Sequence, residues 1–132
     1  MYSRSRRDFL EKAATAGTAV FAPIQFTNIS GNMFIHHVYF WLKNPDNPAD
    51  KKALLDGLQK LSKVKTIKSF HLGQPAPTNR DVIDRSYSVS WLLLFENPAD
   101  QESYQTDPIH LKFVEECSAL WSKVVVYDSI DI

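Results

Sequence analysis

The segment 104–128, YQTDPIHLKFVEECSALWSKVVVYD, constrains the possible folds more than any other part of the chain. Asp107 can accept hydrogen bonds from the free amide groups of a first helical turn, and Pro108 suits the next position, so a helix is predicted to begin here. The β-branched run VVVYD predicts a strand that closes the domain. Apolar residues between the two recur at helical spacing and include a histidine, and this stripe consists of His110, Val114, Cys117 and Trp121.

Residues 33–132 are predicted to form one α+β domain with the order β-α-β-β-α-β, which is the ferredoxin-like arrangement. The aromatic and β-branched run at 34–42 predicts the first strand, and the polar turn after it contains an Asn-Pro pair that predicts the start of a helix. Two further strands are expected at 66–72 and 87–95, with a surface loop between them. The second helix is expected to be interrupted at Pro108.

Helices can cover only one face of such a four-stranded sheet. The other face still carries apolar side chains in this sequence, among them Leu92 and Leu94, and a small domain rarely leaves such a surface exposed to water. A second copy, packed sheet against sheet through a two-fold axis, would cover it. We therefore expect a homodimer.

The composition excludes several classes of function. The chain has 132 residues and a formal net charge of zero, which offers no basic surface for nucleic acid. Its single cysteine, Cys117, lies on the apolar helix stripe, which favours a small buried core residue over a nucleophile. No spacing typical of a zinc or calcium site occurs, so no metal is expected, and the four glycines are too scattered for a phosphate-binding loop.

Residues 1–32 differ in character from the rest of the chain, and we interpret them as a signal and linker segment. Arg6 and Arg7 precede Phe-Leu and an uncharged stretch rich in Ala and Thr, an order that resembles a twin-arginine export signal. The stretch is too short to span a membrane comfortably. We expect a periplasmic or otherwise exported bacterial protein, tethered to the membrane only if the signal is not cleaved. No clear cleavage site follows, and an ordinary N-terminal extension is the alternative.

Two motifs in the domain resemble the stress-responsive A/B barrel (Dabb) family. The pattern Tyr104-x-x-x-Pro108-x-His110, followed by the strand KVVVYD, is similar to the family's C-terminal signature. The segment MFIHHVYFWLK at 33–43 is similar to its first strand. The resemblance covers residues 33–132 and implies a dimeric α/β barrel built from two ferredoxin-like protomers.

The resemblance also implies a function. Tyr104 and His110 match an acid/base pair in the family's plant polyketide cyclase branch, which closes rings without a cofactor, and His37 matches a further pocket histidine there. That branch carries another histidine where this chain has Val89. A small hydrophobic molecule is the expected ligand. The expected pocket consists of His37, Tyr39, Trp41, Val89 and Trp91, on the assumption that all five face the helices.

Two functions therefore remain open. One is a ligand-binding protein or cofactor-free enzyme in which His110 acts as a base and Tyr104 as a hydrogen-bond donor. The other is a non-catalytic stress-response or assembly protein, in which His110 bonds to Tyr104 or to a backbone carbonyl and serves packing alone. A cavity with both side chains facing into it would favour the first function, and a filled core would favour the second.

Overall fold

The computed structural model describes residues 33–132, so the expected signal segment at 1–32 lies outside the described residues. Strands and helices follow one another in the predicted order. None of the helices in the described range is long and apolar enough to cross a bilayer. The elements are β1 (Phe34–Leu42), α1 (Pro48–Leu61), β2 (Ile67–Gly73), β3 (Val89–Phe95), α2 (Pro98–Thr106), α3 (Pro108–Cys117), a 3-10 turn (Ser118–Leu120) and β4 (Trp121–Ile130).

The four strands form one antiparallel sheet in the order β2-β3-β1-β4. The strands β1 and β3 are neighbours at the centre, although a helix and an edge strand separate them in the chain. This connectivity defines the ferredoxin-like arrangement. The predicted α+β ferredoxin-like protomer is thus confirmed.

Polar side chains cap the helices where the sequence predicts their starts. At the start of α1, Oδ1 of Asn47 accepts a hydrogen bond from the amide of Ala49 at 3.0 Å. At the start of α3, Oδ1 of Asp107 accepts one from the amide of Ile109 at 2.8 Å. A proline follows each cap, at a position where no amide hydrogen is missed. The predicted interruption between α2 and α3 is confirmed.

Helix α3 ends earlier than its apolar stripe suggests. Cys117 is its last residue, and Trp121 opens β4. The expectation that Trp121 belongs to the helical stripe is therefore wrong, because the β-branched residues that follow it favour an extended backbone. Its ring still reaches the same side of the sheet and stacks on Phe113, with 5.7 Å between the ring centroids.

The hydrophobic core lies between the helices and one face of the sheet. Alternate residues of β1 point into it, and Val38, Phe40 and Leu42 are each at most 6% exposed. Leu54 and Leu58 from α1 are fully buried in the same cluster. Burial of each such side chain contributes roughly 1.5–3 kcal/mol, so this layer holds the helices against the sheet.

The opposite face of the sheet, called the open face below, is covered by none of the helices in residues 33–132. As predicted, Leu92 and Leu94 lie on it. Because side chains alternate along each strand, the register of the sheet fixes its other members. They are Ile35, His37, Tyr39 and Trp41 of β1, Ser69, His71 and Gly73 of β2, Ser90 of β3, and Lys123, Val125, Tyr127 and Ser129 of β4.

Candidate functional site

A cavity of about 360 Å³ lies between the sheet and helices α2 and α3. Its size falls in the usual range for small-molecule pockets, about 300–1,000 Å³. Aromatic and aliphatic side chains form most of its wall, among them Val38, Trp91, Phe113 and Val126. The polar residues that line it are His36, Gln101, Tyr104, Gln105, His110 and Asp128. An apolar wall with a few converging polar groups is the usual form of a ligand site.

Tyr104 lines this cavity from α2 and is only 1% exposed. Its ring centroid lies 4.8 Å from that of His110 and 5.8 Å from that of His36. The indole Nε1–H of Trp91 donates a hydrogen bond to the Tyr104 hydroxyl oxygen at 3.3 Å. Burial raises the pKa of Tyr104 far above its ordinary value, and the bond from Trp91 offsets part of that rise. The phenol therefore stays protonated and can donate its own hydrogen.

His110, on the first turn of α3, is half-buried. Its Nδ1 atom is buried and has no hydrogen-bond partner in residues 33–132. Burial, and then the neighbouring His36, lowers the pKa of His110, whereas Asp107 and the backbone of Gln105 oppose the shift. The imidazole is therefore mostly neutral at neutral pH. A neutral ring in the wall of the cavity can take part in a hydrogen bond or a proton transfer with a ligand.

The antiparallel register of β1 and β4 places His36 directly opposite Asp128. The Nδ1 atom of His36 lies 2.5 Å from Oδ1 of Asp128, and the two side chains are 7% and 43% exposed. Because a carboxylate can only accept hydrogen bonds, Nδ1 carries the hydrogen of this bond. When His36 is neutral, its other nitrogen, Nε2, is then a hydrogen-bond acceptor.

The structure separates the five residues of the expected pocket. Trp91 lines the cavity, and Val89 faces the helices but is fully buried in the core. His37, Tyr39 and Trp41 lie on the open face, on the other side of the sheet. The expectation that all five share the helix-covered face is therefore wrong for these three, because the even-numbered residues of β1 are the ones that point into the core.

Comparison with known proteins identifies the family. The sequence profile of the stress-responsive A/B barrel domain matches residues 34–131. The chain belongs to this family. A stress-response A/B barrel domain-containing protein of Arabidopsis thaliana is 28% identical over 76 residues, which make up 57% of this chain and 68% of the relative.

Solved structures share the fold of this A/B barrel domain. A Dabb family protein with a ferredoxin-like fold from Mesorhizobium loti has a TM-score of 0.65 at 23% identity, over 77% of this chain and 99% of the other. A hydroxynitrile lyase from Passiflora edulis has a TM-score of 0.65 at 19% identity, over 78% and 96% of the two chains. A dimeric ferredoxin-like protein of unknown function from Thermobifida fusca has a TM-score of 0.63 at 14% identity, over 83% and 97%. These likenesses show the fold.

Sequence reasoning missed four of the six polar residues of the A/B barrel cavity, namely Gln101 and Gln105 on α2 and the hydrogen-bonded pair His36 and Asp128. The sequence did contain a signal for His36. It shares one face of β1 with Val38 and Phe40, which carry no polar side-chain atoms, whereas the other face carries a tyrosine and a tryptophan. Purely apolar alternation marks the face that turns to the core. Asp128 offered a weaker signal, since an acidic residue at the end of VVVYD needs a polar partner if it points inward.

A larger groove of about 870 Å³ runs between α1 and α3. Lysines 60, 63 and 112 are among its lining residues, no histidine or tyrosine contributes to it, and Cys117 lies at its wall. Cys117 is 5% exposed, and burial raises the pKa of its thiol, in agreement with a packing role. We therefore regard the smaller cavity, where two histidines and a buried tyrosine converge, as the candidate site.

The titratable side chains of the cavity are suited to proton transfer. Within residues 33–132, no group of three or more His, Cys, Asp or Glu side chains is arranged to hold a metal ion. The titratable groups of the cavity comprise a protonated phenol, a largely neutral imidazole and a carboxylate-bound imidazole. Such groups donate and accept protons without further help.

Proposed function

We propose that this protein binds a small, largely apolar molecule between its helices and its sheet and moves a proton on it. The observation that carries the proposal is the convergence of His36, Tyr104 and His110 on one apolar cavity. Neither lysine nor arginine lines that cavity in the described part of the chain, and Asp128 contributes a negative charge. A ligand without a strong negative charge suits this lining best.

The proposed proton acceptor is His110. Its lowered pKa leaves the ring neutral, and the residue lines the cavity. A base of this kind can take a proton from a carbon next to a ligand carbonyl. The electron pair of the broken C–H bond then moves to the carbonyl oxygen, which becomes an enolate oxygen.

The proposed stabiliser of that oxygen is Tyr104. Its hydroxyl oxygen already accepts the Trp91 hydrogen bond at 3.3 Å, so its own hydrogen can point at a ligand. Donation from a buried, protonated phenol to a developing oxyanion stabilises it more than water does, because the surroundings are apolar and already organised. An enolate held in this way can attack a second carbonyl of the same molecule, whose π electrons move to its oxygen, and that oxygen takes the proton back from protonated His110; this is the ring closure of a cyclase. Alternatively, the enolate carbon regains the proton and the ketone forms again.

His36 supplies a third position in the same cavity. Its bond to Asp128 fixes the ring and favours a hydrogen on Nδ1, so Nε2 can accept a hydrogen bond from a ligand hydroxyl. The hydroxynitrile lyase from Passiflora edulis, which shares this fold, supports the idea that such a protomer can hold an enzyme.

The test is a ligand screen by thermal shift on the full chain, with neutral aromatic and β-dicarbonyl compounds as probes. Binding at a hundred times the dissociation constant stabilises a protein by about 2.7 kcal/mol, which is readily seen. We expect a compound class that stabilises the wild type but has little effect on His110→Gln, His36→Gln or Tyr104→Phe. The matched control is His71→Gln, which alters an exposed histidine on the other face of the sheet.

Proton transfer is tested separately, by following exchange of the α-hydrogen of a bound ketone with deuterated solvent by NMR. The proposal expects catalysed exchange by the wild type and its loss in His110→Gln. Failure of every probe to bind, with the three cavity variants changing only the melting temperature, would instead support the non-catalytic stress-response or assembly role.

We further propose that two copies pair through the open face. The dimeric ferredoxin-like relative from Thermobifida fusca supports pairing, and Lys123 is the one formally charged residue among those that define the face. Light scattering on the full chain should give twice the protomer mass. Leu92→Asp, which places a charge at the centre of the face, should give a folded protomer; a wild type that is monomeric at micromolar concentration would contradict the pairing.

We also propose export by a twin-arginine route, which rests on Arg6 and Arg7 and the uncharged stretch after them. Expression of the full chain in a bacterium with this pathway should place it in the periplasmic fraction. The double change Arg6→Lys and Arg7→Lys should keep it in the cytoplasm, whereas Arg4→Lys should not. Equal distribution of all three proteins between the fractions would contradict the proposal.

A further inference from the structure

Two of the four histidines in the chain, His37 and His71, lie on the open face. Each stands opposite Leu92, His37 on the β1 side and His71 on the β2 side. His37 is half-buried in the single protomer, and His71 is exposed. A second copy that covered Leu92 would also remove both histidines from water.

The immediate neighbours of His37 are uncharged on every strand of this face. On β1, its Nδ1 atom lies 3.1 Å from the hydroxyl oxygen of Tyr39. Tyr127 stands opposite it on β4 and Leu92 on β3. From the loop before β3, Tyr87 packs edge-on against Tyr39, with 4.9 Å between the ring centroids. None of these groups can neutralise an imidazolium.

Cations lie on two sides of the open face. Lys123 stands opposite Trp41, and its Nζ atom is 4.5 Å from the centre of the indole ring. Lys68 occupies the irregular register of β2, three residues before His71. The loop at the Trp41 end holds exposed charges of both signs, and they are Arg80, Asp81, Asp84 and Arg85.

Asp128, next to Tyr127 on β4, points to the other side of the sheet, where it bonds to His36. The strand carboxylates on the open-face side are distant from His37. Glu96 follows β3 and Asp131 follows β4, each four residues along the strand from the row that contains His37. Four residues of strand span about 13 Å, which exceeds the screening length of about 8 Å at physiological salt. In the loop, Asp84 is engaged by the hydroxyl of Ser86 at 2.6 Å.

We propose that protonation of His37 and His71 controls self-association, so that two copies pair while these histidines are neutral and separate when they become charged. The inference rests on the proposed pairing through the open face. A buried imidazolium without a carboxylate partner is costly, whereas a neutral imidazole that shares a hydrogen bond with a tyrosine is tolerated. Two-fold symmetry doubles the effect, because it brings four such rings into one interface.

The sign of the pH dependence follows from the surroundings. In the single protomer, burial already lowers the pKa of His37, and the neighbouring His71 and His36 lower it further. A second copy adds burial, so the pKa in the dimer lies below that in the protomer. Pairing is then independent of pH well above the pKa of His37 in the protomer, which lies below the ordinary value, and it weakens as the pH falls through that pKa. At a pH below both pKa values, each unit by which pairing lowers the pKa of one histidine weakens the dimer about tenfold. For the two copies of His37 together, the loss is about a hundredfold.

The experiment is sedimentation velocity on the full chain between about pH 8 and about pH 5.5, across the histidine titration range. We expect the dissociation constant of the wild type to rise by about tenfold over this interval, because the His37 pKa in the protomer already lies below the ordinary value. In the double variant His37→Gln and His71→Gln it should stay nearly constant. His110→Gln, which changes a histidine on the other side of the sheet, should keep the full pH dependence.

The outcomes separate the two proposals. A wild type that is monomeric even at about pH 8 would overturn pairing itself, whereas a dimer of equal affinity at both pH values would overturn the pH control alone. A pH dependence that persists in the double variant would show that other groups cause it and would overturn the role of these histidines.

The folding control is circular dichroism along the same titration. The spectrum must remain native while the dimer dissociates, and unfolding before dissociation counts against the proposal. The single change His71→Gln alters an exposed residue of an edge strand. It should remove at most half of the pH dependence of the dissociation constant.

Discussion

The Nδ1 atom of His36 donates a hydrogen bond to Oδ1 of Asp128 across a distance of 2.5 Å, and this bond joins a central strand of the sheet to its edge strand β4. The two residues are direct partners in the antiparallel register. The bond has a structural consequence, because His36 is 6% exposed and would otherwise bury an unpaired polar atom. The bond also fixes the orientation of a ring that lines the cavity.

Replacing Asp128 with Ala should therefore lower stability. A buried donor left without its acceptor costs about 1–3 kcal/mol, and we expect the lower end because the Asp128 side chain is 43% exposed and water can reach the site. Urea denaturation measures the loss. Asp128→Asn keeps an acceptor and should cost less, while Asp131→Ala, near the exposed chain end, should be close to neutral. Equal effects of all three changes would contradict a specific role of the bond.

Tyr104→Phe tests whether the cavity phenol serves packing or chemistry. The change removes the acceptor for Trp91 Nε1 and leaves the ring in place, so we expect a loss of stability of about 1 kcal/mol. Proton exchange on a bound ketone should fall far more, by about a hundredfold, because the oxyanion donor is lost. Thermal denaturation and the exchange rate are measured on the same preparation. A fall in stability with unchanged exchange would assign Tyr104 a structural role.

The pH dependence of folding offers a test of the surroundings of His110. Burial, the largest cause, lowers the pKa of its ring in the folded protein, so below the ordinary value of about 6.5 the unfolded chain binds more protons than the folded one. Stability should be independent of this group above that pH and should decrease as the pH falls through it. Urea denaturation at a series of pH values measures the slope.

The control for this prediction is His110→Gln, which removes the titrating ring and should flatten the slope between about pH 7 and about pH 5.5. His37, whose pKa is also lowered by burial, will keep part of the dependence in that variant. An unchanged slope in His110→Gln would show that the ring is solvated as well in the folded protein as in the unfolded chain.

Local signals in the sequence were sufficient for the elements of this fold, and long-range contacts decided the site. The caps at Asn47 and Asp107 act within one helical turn, so both helix starts could be predicted. Which of the two histidines, His36 or His37, lines the cavity depended on which face of β1 the helices cover. That is a tertiary property. The part played by Asp128 required the register between strands separated by most of the domain, and no local spacing encodes it.

Gly57 on α1 provides the last prediction. A β-carbon at this position would lie 2.5 Å from Sγ of Cys117 and 3.3 Å from the ring of Phe113, so a methyl group here would force the Cys117 side chain or the helix α3 to shift. Helix propensity favours Ala by about 1 kcal/mol, but overpacking costs roughly 1–3 kcal/mol. We therefore expect Gly57→Ala to lower stability by about 1 kcal/mol, as measured by urea denaturation.

A double-mutant cycle locates the cause of that loss. Cys117→Ala removes the sulfur that the new methyl group meets, so Gly57→Ala should become stabilising, or at least neutral, in the Cys117→Ala background. Gln59→Ala, on the same helix at an exposed position, should be nearly neutral in both backgrounds. Stabilisation of the wild type by about 1 kcal/mol in Gly57→Ala, the full gain in helix propensity, would contradict this packing. It would mean that the added methyl group does not clash with Cys117.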